Sequence, residues 1–333
     1  MNLDLLYIAI EDELRKQVRR LAEPITQSFH DMLTYHMGWT GEGAGVEAQG
    51  KRIRPLLLLL STAGCGESWL RALPAAAAVE LIHNFSLVHD DIQDGSEKRR
   101  GRSTVWAVWG IPNAINVGDA LFVLANQAVL DLAKSYPAEV VVQTSTIITN
   151  ACLDLTRGQF MDMNYAGRGD IDLEVYWALI RGKTGALLAA CTHGGALLGG
   201  AQEDRREAFR SFGEHLGLAF QAQDDILGIW GNENVTGKSV ANDLLDRKLS
   251  LPVLYGLSKK GKFAELWQKG PIPPAEIGRA AELLAEDGAH EYAKQQAGEL
   301  TRRALHALEA ARPDGEAGQA MFQLANQLLK REQ

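Results

Sequence analysis

The most chemically loaded residues are two pairs of aspartates, each closing a long apolar stretch. Residues 79–94 read VELIHNFSLVHDDIQD, and residues 212–231 read FGEHLGLAFQAQDDILGIWG. On a helix, Asp90 and Asp94 stand one turn apart and about 40° apart around the axis. His83 falls between them in angle, two to three turns earlier. Two carboxylates on one face above apolar residues are costly unless a positive charge joins them. Mg²⁺ suits that place, because it favours carboxylate oxygen and keeps positions for water or phosphate. The other reading is a helix end running into solvent, although acids there oppose the helix dipole. Asp224 and Asp225, with Gln221 one turn before, repeat the arrangement. Facing clusters would hold several Mg²⁺ around one polyphosphate. The alternative is two unrelated surface patches.

Cations accompany both clusters. Lys51, Arg52 and Arg54 precede an apolar helix, where a helix N-terminus and basic side chains make a phosphate site or simply a solvated first turn. Lys98, Arg99, Arg100 and Arg102 follow the first acidic cluster and either offset its charge or bridge to a diphosphate. Lys183 and Thr184 open another apolar stretch, within reach of phosphate or as a cap. Lys238 and Lys248 flank Asp243, and ordinary surface charge is their other reading. His83 reads either as a core histidine or as part of the acidic face.

The elements that must position these groups read as helices throughout. Helical spacing runs from Leu3 to about Met37, then near 53–64, 69–94, 113–135, 138–164, 171–181, 184–199, 202–230, 241–259, 274–311 and 315–331. A glycine-rich loop spans 38–50, and nothing alternates long enough to predict a sheet. The expectation is an all-α fold, a single large helical bundle and one domain over 1–333. With 46% hydrophobic and 23% charged residues the composition is that of a globular chain. A net charge of −8 argues against a general nucleic-acid partner. No uninterrupted apolar run approaches the roughly 20 residues of a membrane span. Asp4 and the acids from Glu11 to Glu13 stand where a signal peptide wants positive charge and a cleavage site, so the expected setting is the cytoplasm. Cys65, Cys152 and Cys191, odd in number and far apart, suggest neither disulfides nor zinc.

The order GKRIRP (50–55), ELIHNFSLVHDDIQD (80–94), RRG (99–101), GKTG (182–185), FQAQDDILG (220–228), VTGKS (235–239) and NDLLDRKLSLP (242–252) resembles the trans-isoprenyl diphosphate synthases. The resemblance implies the isoprenoid synthase type I fold, a helical bundle around a deep apolar cavity, working as a homodimer. It implies condensation of isopentenyl diphosphate with an allylic diphosphate (dimethylallyl, geranyl or farnesyl), with three Mg²⁺. Asp90, Asp94 and Asp224 would ligate metal, with Asp91 and Asp225 in support. Arg99, Lys183, Gln221 and Lys238 would hold the allylic diphosphate. Lys51, Arg54, His83 and Arg100 would hold isopentenyl diphosphate. Thr184 would lie near the forming carbocation, and Lys248 would belong to the closing region.

Phe85, Ser86 and Val79 lie below Asp90 on the same stretch, Ser86 about 6 Å and Val79 about 16 Å down. In the family an aromatic residue at the first of these positions shortens the product, and one at the second shortens it further. An aromatic Phe85 with a small Ser86 resembles synthases of C20 geranylgeranyl diphosphate, with C15 farnesyl diphosphate or a longer product as alternatives. Phe85 also reads as a plain core aromatic. One departure stands out: the second acidic motif usually ends in a third aspartate, and position 228 is glycine. A non-catalytic partner subunit, a terpene cyclase, a head-to-head synthase and a structural bundle are the competing readings. The KRIR and His83 set argues against the middle two, since neither reaction needs a second diphosphate site of that kind.

Overall fold

The computed structural model describes residues 1–165, 168, 171–231 and 242–329. The expected N-terminal helix is divided: α1 (Leu3–Val18) ends in a 3₁₀ turn, and α2 (Gln27–His36) begins beyond Pro24. Proline donates no backbone hydrogen bond and crowds the preceding turn, so one unbroken helix cannot pass through it. α3 (Val46–Gln49), α4 (Ile53–Gly64), α5 (Leu73–Gln93), α6 (Val105–Trp109), α7 (Ile111–Asp131) and α8 (Ala138–Tyr165) follow. Then come α9 (Leu173–Ile180), α10 (Ala186–Leu198), α11 (Glu203–Trp230), α12 (Asn242–Leu245), α13 (Leu251–Ser258) and α14 (Lys262–Gln268). α15 (Ile277–Glu286) and α16 (Ala289–Ala311) replace the single helix expected over 274–311, because Gly288 takes a left-handed φ of 81° between them. α17 (Gly315–Leu329) is the last described helix.

One element departs from the all-helical expectation. β1 (Lys98–Arg99) and β2 (Arg102–Ser103) pair antiparallel. Arg100 and Gly101 turn the hairpin with φ of 51° and 75°. Two successive left-handed residues are what the tightest hairpin turns demand. Strands of two residues leave no period-two signal to read.

The chain divides into two compact units. The first comprises Met1–Thr149, Cys191–Arg206 and Pro313–Ala320. Here α5 packs along α7, and small residues let them come close: Ala75 to Ala78 are buried, as are Ala114, Val117, Leu121 and Ala125 opposite. At Gly118 a Cβ would stand 2.2 Å from His89 Nε2, so the glycine seats that ring. Ile111–Lys134 is the one helical run among the described residues long and apolar enough to cross a membrane by length and composition. Its buried face belongs to the core of this unit, so burial rather than length marks it as a core helix.

The second unit comprises Asn150–Ala190, Glu207–Arg312 and Met321–Gln333. Its core gathers Ile229, Val253, Phe263, Trp267, Ile277 and Leu284 from α11, α13, α14 and α15. A π-helical turn, Arg181–Gly185, follows α9 directly. Its glycines permit backbone contact on two sides. A Cβ on Gly182 would lie 2.6 Å from the Asp154 carbonyl oxygen of α8, and one on Gly217 of α11 would lie 2.9 Å from Gly185 Cα.

Candidate active site

In the first unit, the final turn of α5 carries Asp90 and Asp91, with Asp94 capping it through its N–H to the Asp90 carbonyl at 2.8 Å. Asp91 is buried and engaged: Arg99 Nε and a terminal guanidinium nitrogen lie 2.8 and 2.7 Å from its Oδ1. Burial pushes its carboxyl up to about 6, against the pull of Arg99. Asp91 thus anchors the hairpin. Asp90 and Asp94 share a different face of the helix, whose last turn holds no basic residue. Adjacent carboxylates at a helix C-terminus, lacking a local helical cation, suit a hard divalent ion.

Around them lies an arginine-rich region. Arg52 takes a left-handed φ of 45°, is buried, and gives its guanidinium to Glu11 at 2.6 Å and Glu80 at 2.7 Å. Arg54, two residues on, behaves differently: its Nε is sealed from solvent with no hydrogen-bond partner among the described residues. Burial lowers its pKa, opposed by the negative charge of Glu80. Lys51 is exposed. Arg100 donates to the Ala48 carbonyl at 2.9 Å, and Gly50, whose φ of 80° favours glycine, lets the Arg100 guanidinium lie against it. His83 is held well below its ordinary pKa by burial and then by Arg54, Arg100, Arg99 and Arg52. His36 is pushed down to about 3 by burial and by Arg100, Arg99 and Arg52. Both imidazoles are therefore neutral, and the charge in excess is guanidinium. The complement of such a region is a polyanion of the phosphate class.

Arg102 fastens this region to the glycine-rich loop. Its guanidinium donates to the carbonyls of Tyr35 at 2.8 Å, Thr40 at 2.7 Å and Glu42 at 2.9 Å. It also lies 4.0 Å over the Tyr35 ring, whose hydroxyl donates to the Ser103 carbonyl at 2.9 Å.

Below Asp90, Ser86 is buried and donates to the His83 carbonyl at 2.8 Å. Phe85 turns toward α7, with its ring 5.3 Å from Phe122 and 5.1 Å from His89. Val79 is fully buried.

In the second unit, Asp225 is enclosed and holds three elements together. Its Oδ2 accepts from Tyr176 Oη at 2.7 Å and from the Leu251 N–H at 2.9 Å, where α13 begins. Its Oδ1 accepts from Gln221 Nε2 at 2.9 Å. Gln221 Oε1 in turn accepts from Thr184 Oγ1 at 3.0 Å. Asp224, the next residue of α11, points about 100° away from this network. Lys183 pairs with Asp162 of α8. Lys248 lies 3.7 Å from Asp225 and 3.4 Å from Asp243. Burial disfavours the Lys248 ammonium, but Asp225, Asp243 and Asp162 outweigh it and raise its pKa. Lys238 lies outside the described residues, as does the rest of 232–241.

Each unit therefore gathers most of its own share of the expected residues. The sequence reading missed Glu11, His36 and Glu80 in the first unit, and Asp162 and Tyr176 in the second; it read Arg102 as one of a run of cations but not as the anchor of the loop. Asp162 carried no signal in the sequence: only the fold shows that Gly158, one turn before it on α8, is where a Cβ would stand 2.3 Å from the Lys183 backbone nitrogen.

A helical chain with paired aspartates and separate clusters of phosphate-binding type defines a diphosphate-handling enzyme. Comparison with known proteins names the family. The family model for polyprenyl synthetase matches residues 44–284. A geranylgeranyl diphosphate synthase of Mycobacterium tuberculosis is 36% identical over 326 residues, covering 96% of this chain and 90% of its own. A (2E,6E)-farnesyl diphosphate synthase of Mycobacterium bovis is 39% identical over 290 residues, covering 84% and 80%. The crystal structure of a polyprenyl synthetase from Streptomyces coelicolor superposes with a TM-score of 0.87 at 37% identity, covering 98% of each chain. The chain belongs to the polyprenyl synthetase family and is a trans-prenyltransferase of isoprenyl diphosphates, with the all-α isoprenoid synthase fold.

Proposed function

We propose that this enzyme condenses isopentenyl diphosphate head to tail with an allylic diphosphate, using Mg²⁺, and releases geranylgeranyl diphosphate. The observation that carries the two-substrate reading is Arg54, a half-buried arginine whose Nε has no hydrogen-bond partner among the described residues, beside the neutral His83. A second diphosphate supplies that partner. Lys51 and Arg100 would join in holding it. Arg99, Lys183, Gln221 and Lys238 would hold the allylic diphosphate, and Thr184 would face the reacting carbon. Asp90, Asp94 and Asp224 would hold Mg²⁺, which suits carboxylate oxygen, while Asp91 and Asp225 brace the site through Arg99 and the Tyr176 network. Bound there, Mg²⁺ would neutralise the leaving diphosphate. Apolar walls would keep water from the allylic cation. The family model spans residues 44–284, and the whole chain, 1–333, is read as one catalytic domain.

The C20 product is supported by the pairing of a small Ser86 on the Asp90 stripe with a Phe85 packed against Phe122. The farnesyl product is the second reading, favoured by the 39% identity to a farnesyl diphosphate synthase. A homodimer is supported by an exposed apolar row on α7: Ile111 at 48%, Ile115 at 43%, Val123 at 53% and Leu130 at 66%. Three cysteines without a disulfide support a cytoplasmic setting.

The test incubates the protein and Mg²⁺ with labelled isopentenyl diphosphate and C5, C10 or C15 allylic primers, then sizes the dephosphorylated products. The expected product is C20, abolished in Asp90→Ala. Ser86→Phe should shorten it and Phe85→Ala lengthen it. A C15 product from the unaltered enzyme would keep the reaction and discard the Phe85–Ser86 ruler. No elongation from any primer would leave a non-catalytic partner subunit as the better reading.

A further inference from the structure

The glycine-rich loop begins and ends on one carboxylate. Glu11 of α1 accepts from Trp39 Nε1 at 2.7 Å on one oxygen and from Arg52 Nε at 2.6 Å on the other. Trp39 stands at the entry to the loop, and Arg52 stands just beyond its exit. Arg15, one turn further along α1, lies 4.6 Å over the Trp39 ring, so the same helix grips the entry twice. Gly38, Gly41, Gly43, Gly45 and Gly50 take positive φ along the loop. Backbone of that kind has little preference of its own, so its path depends on what holds it. Arg102 holds the first half through the Thr40 and Glu42 carbonyls, and Arg100 holds Ala48. The exit is left to Arg52.

That exit is a corner. Arg52 takes a left-handed φ of 45° and precedes α4 without a side-chain capping bond. A residue with a side chain stays in such a conformation only where its surroundings over-determine it. Here they do. The Arg52 guanidinium is fixed by Glu11, by Glu80 at 2.7 Å and by the Met37 carbonyl at 3.4 Å. Lys51 comes just before the corner, and Arg54 follows it in the first turn of α4. The corner therefore sets where both cations stand.

We propose that Glu11 is a positioning residue for the isopentenyl diphosphate site: by holding Trp39 and Arg52 together it fixes both ends of the glycine-rich loop, and with them Lys51 and Arg54. Glu80 does not duplicate it, because Glu80 holds only the Arg52 end and otherwise accepts from Asn84 of its own helix. The proposal rests on the two-diphosphate reading above.

The experiment measures kinetics of the full-length enzyme with Mg²⁺, varying each diphosphate in turn, and urea unfolding of every variant. Glu11→Gln keeps the length of the side chain and removes its charge. Its Michaelis constant for isopentenyl diphosphate should rise roughly three- to tenfold, the range of one or two lost hydrogen bonds. The constant for the allylic primer and kcat should stay close to those of the unaltered enzyme. Trp39→Phe keeps the ring and removes the N–H, and should raise the same constant less strongly. Added to Glu11→Gln it should change little more, because both break one arrangement. Val18→Ala controls for lost stability: it removes packing from the buried face of the same helix and should leave both constants unchanged. An unaltered isopentenyl constant in Glu11→Gln, or equal rises for both substrates, overturns the proposal. So does an equal rise in Val18→Ala, since Glu11 would then act through stability alone. Should Glu11→Gln fail to fold, Trp39→Phe decides, and an unchanged constant there overturns the proposal. Arg54→Gln in the same assay separates the two readings. If it raises the isopentenyl constant and Glu11→Gln does not, only the proposal falls; if neither does, the two-diphosphate reading falls with it.

Discussion

Arg52 and Arg54 are two residues apart in sequence and opposite in role. Arg52 sits between Glu11 and Glu80, both bonds to them charge-assisted and the pair with Glu80 buried. Arg54 keeps a sealed Nε without a partner. Removing one partner of a buried ion pair leaves the other charge uncompensated, at a cost of about 3–5 kcal/mol. Arg52→Gln is therefore expected to lose stability in urea unfolding by that order. Arg54→Gln is expected to unfold near the unaltered midpoint. Its Michaelis constant for isopentenyl diphosphate should rise by roughly tenfold or more, the worth of a charge-assisted hydrogen bond, while the constant for the allylic substrate stays close. Equal stability losses in both variants would count against the assignment. The run KRIR was legible as a cluster of cations, but the division of labour inside it was not. It depends on the left-handed backbone of Arg52, which turns that side chain inward to glutamates 28 and 41 residues away in sequence. The same holds for the aspartate pairs: each pair could be read, and the partners that Asp91 finds in Arg99 and Asp225 in Tyr176 could not.

At the scale of elements, the glycine-rich loop and the hairpin form one construction. The sequence showed the loop as a run of glycines and the hairpin only as basic residues. What joins them is Arg102, through three carbonyls and a ring. Arg99 has its own anchor in Asp91, whereas Arg100 is held through the Ala48 carbonyl of the loop. Arg102→Ala should therefore loosen Arg100 more than Arg99. The expected result is a Michaelis constant for isopentenyl diphosphate raised several-fold, in the range set by one or two lost hydrogen bonds of about 1 kcal/mol each. The constant for the allylic primer should change less, and Arg102→Lys should recover little, since lysine has no planar fork to span the carbonyls. Equal rises for both substrates would mean that the hairpin moves as a whole. The π turn at 181–185 was similarly hidden. GKTG reads as a helix opening, and only the backbone contacts at Gly158, Gly182 and Gly217 explain why glycines surround Lys183 and Thr184.

For the molecule as a whole, the all-α class was legible because apolar residues recur at helical spacing almost throughout. Breaks such as Pro24 and Gly288 were less so, since each acts on the backbone rather than on the pattern of apolar residues. The concentration of charge in the first unit has a consequence for the stability of the entire chain. His36 stays neutral down to a pH of about 3 in the folded protein, against an ordinary value of 6.5. Once unfolded, it binds a proton below pH 6.5, so the unfolded state holds more protons than the folded one between those values. Stability is therefore flat above pH 6.5 and falls as the pH drops toward 3. By pH 5 this one imidazole removes about 2 kcal/mol of folding stability. His83, also pushed down by burial and by Arg54, adds to the loss in the same direction. Urea unfolding at pH 7.5 and pH 5.0 should show the fall, and His36→Gln should make it smaller by about 2 kcal/mol. Arg100, Arg99, Arg52 and Asn84 act on His36. Asp91, whose carboxyl is pushed up to about 6, lines the same pocket and opposes the fall, since its raised value favours the folded state as the pH drops. Asp91 is common to both proteins, so the difference between them reads the imidazole. An unchanged pH dependence in the variant would mean that His36 takes up its proton within the fold, and that the arginines around it carry less unbalanced charge than a site built for a diphosphate requires.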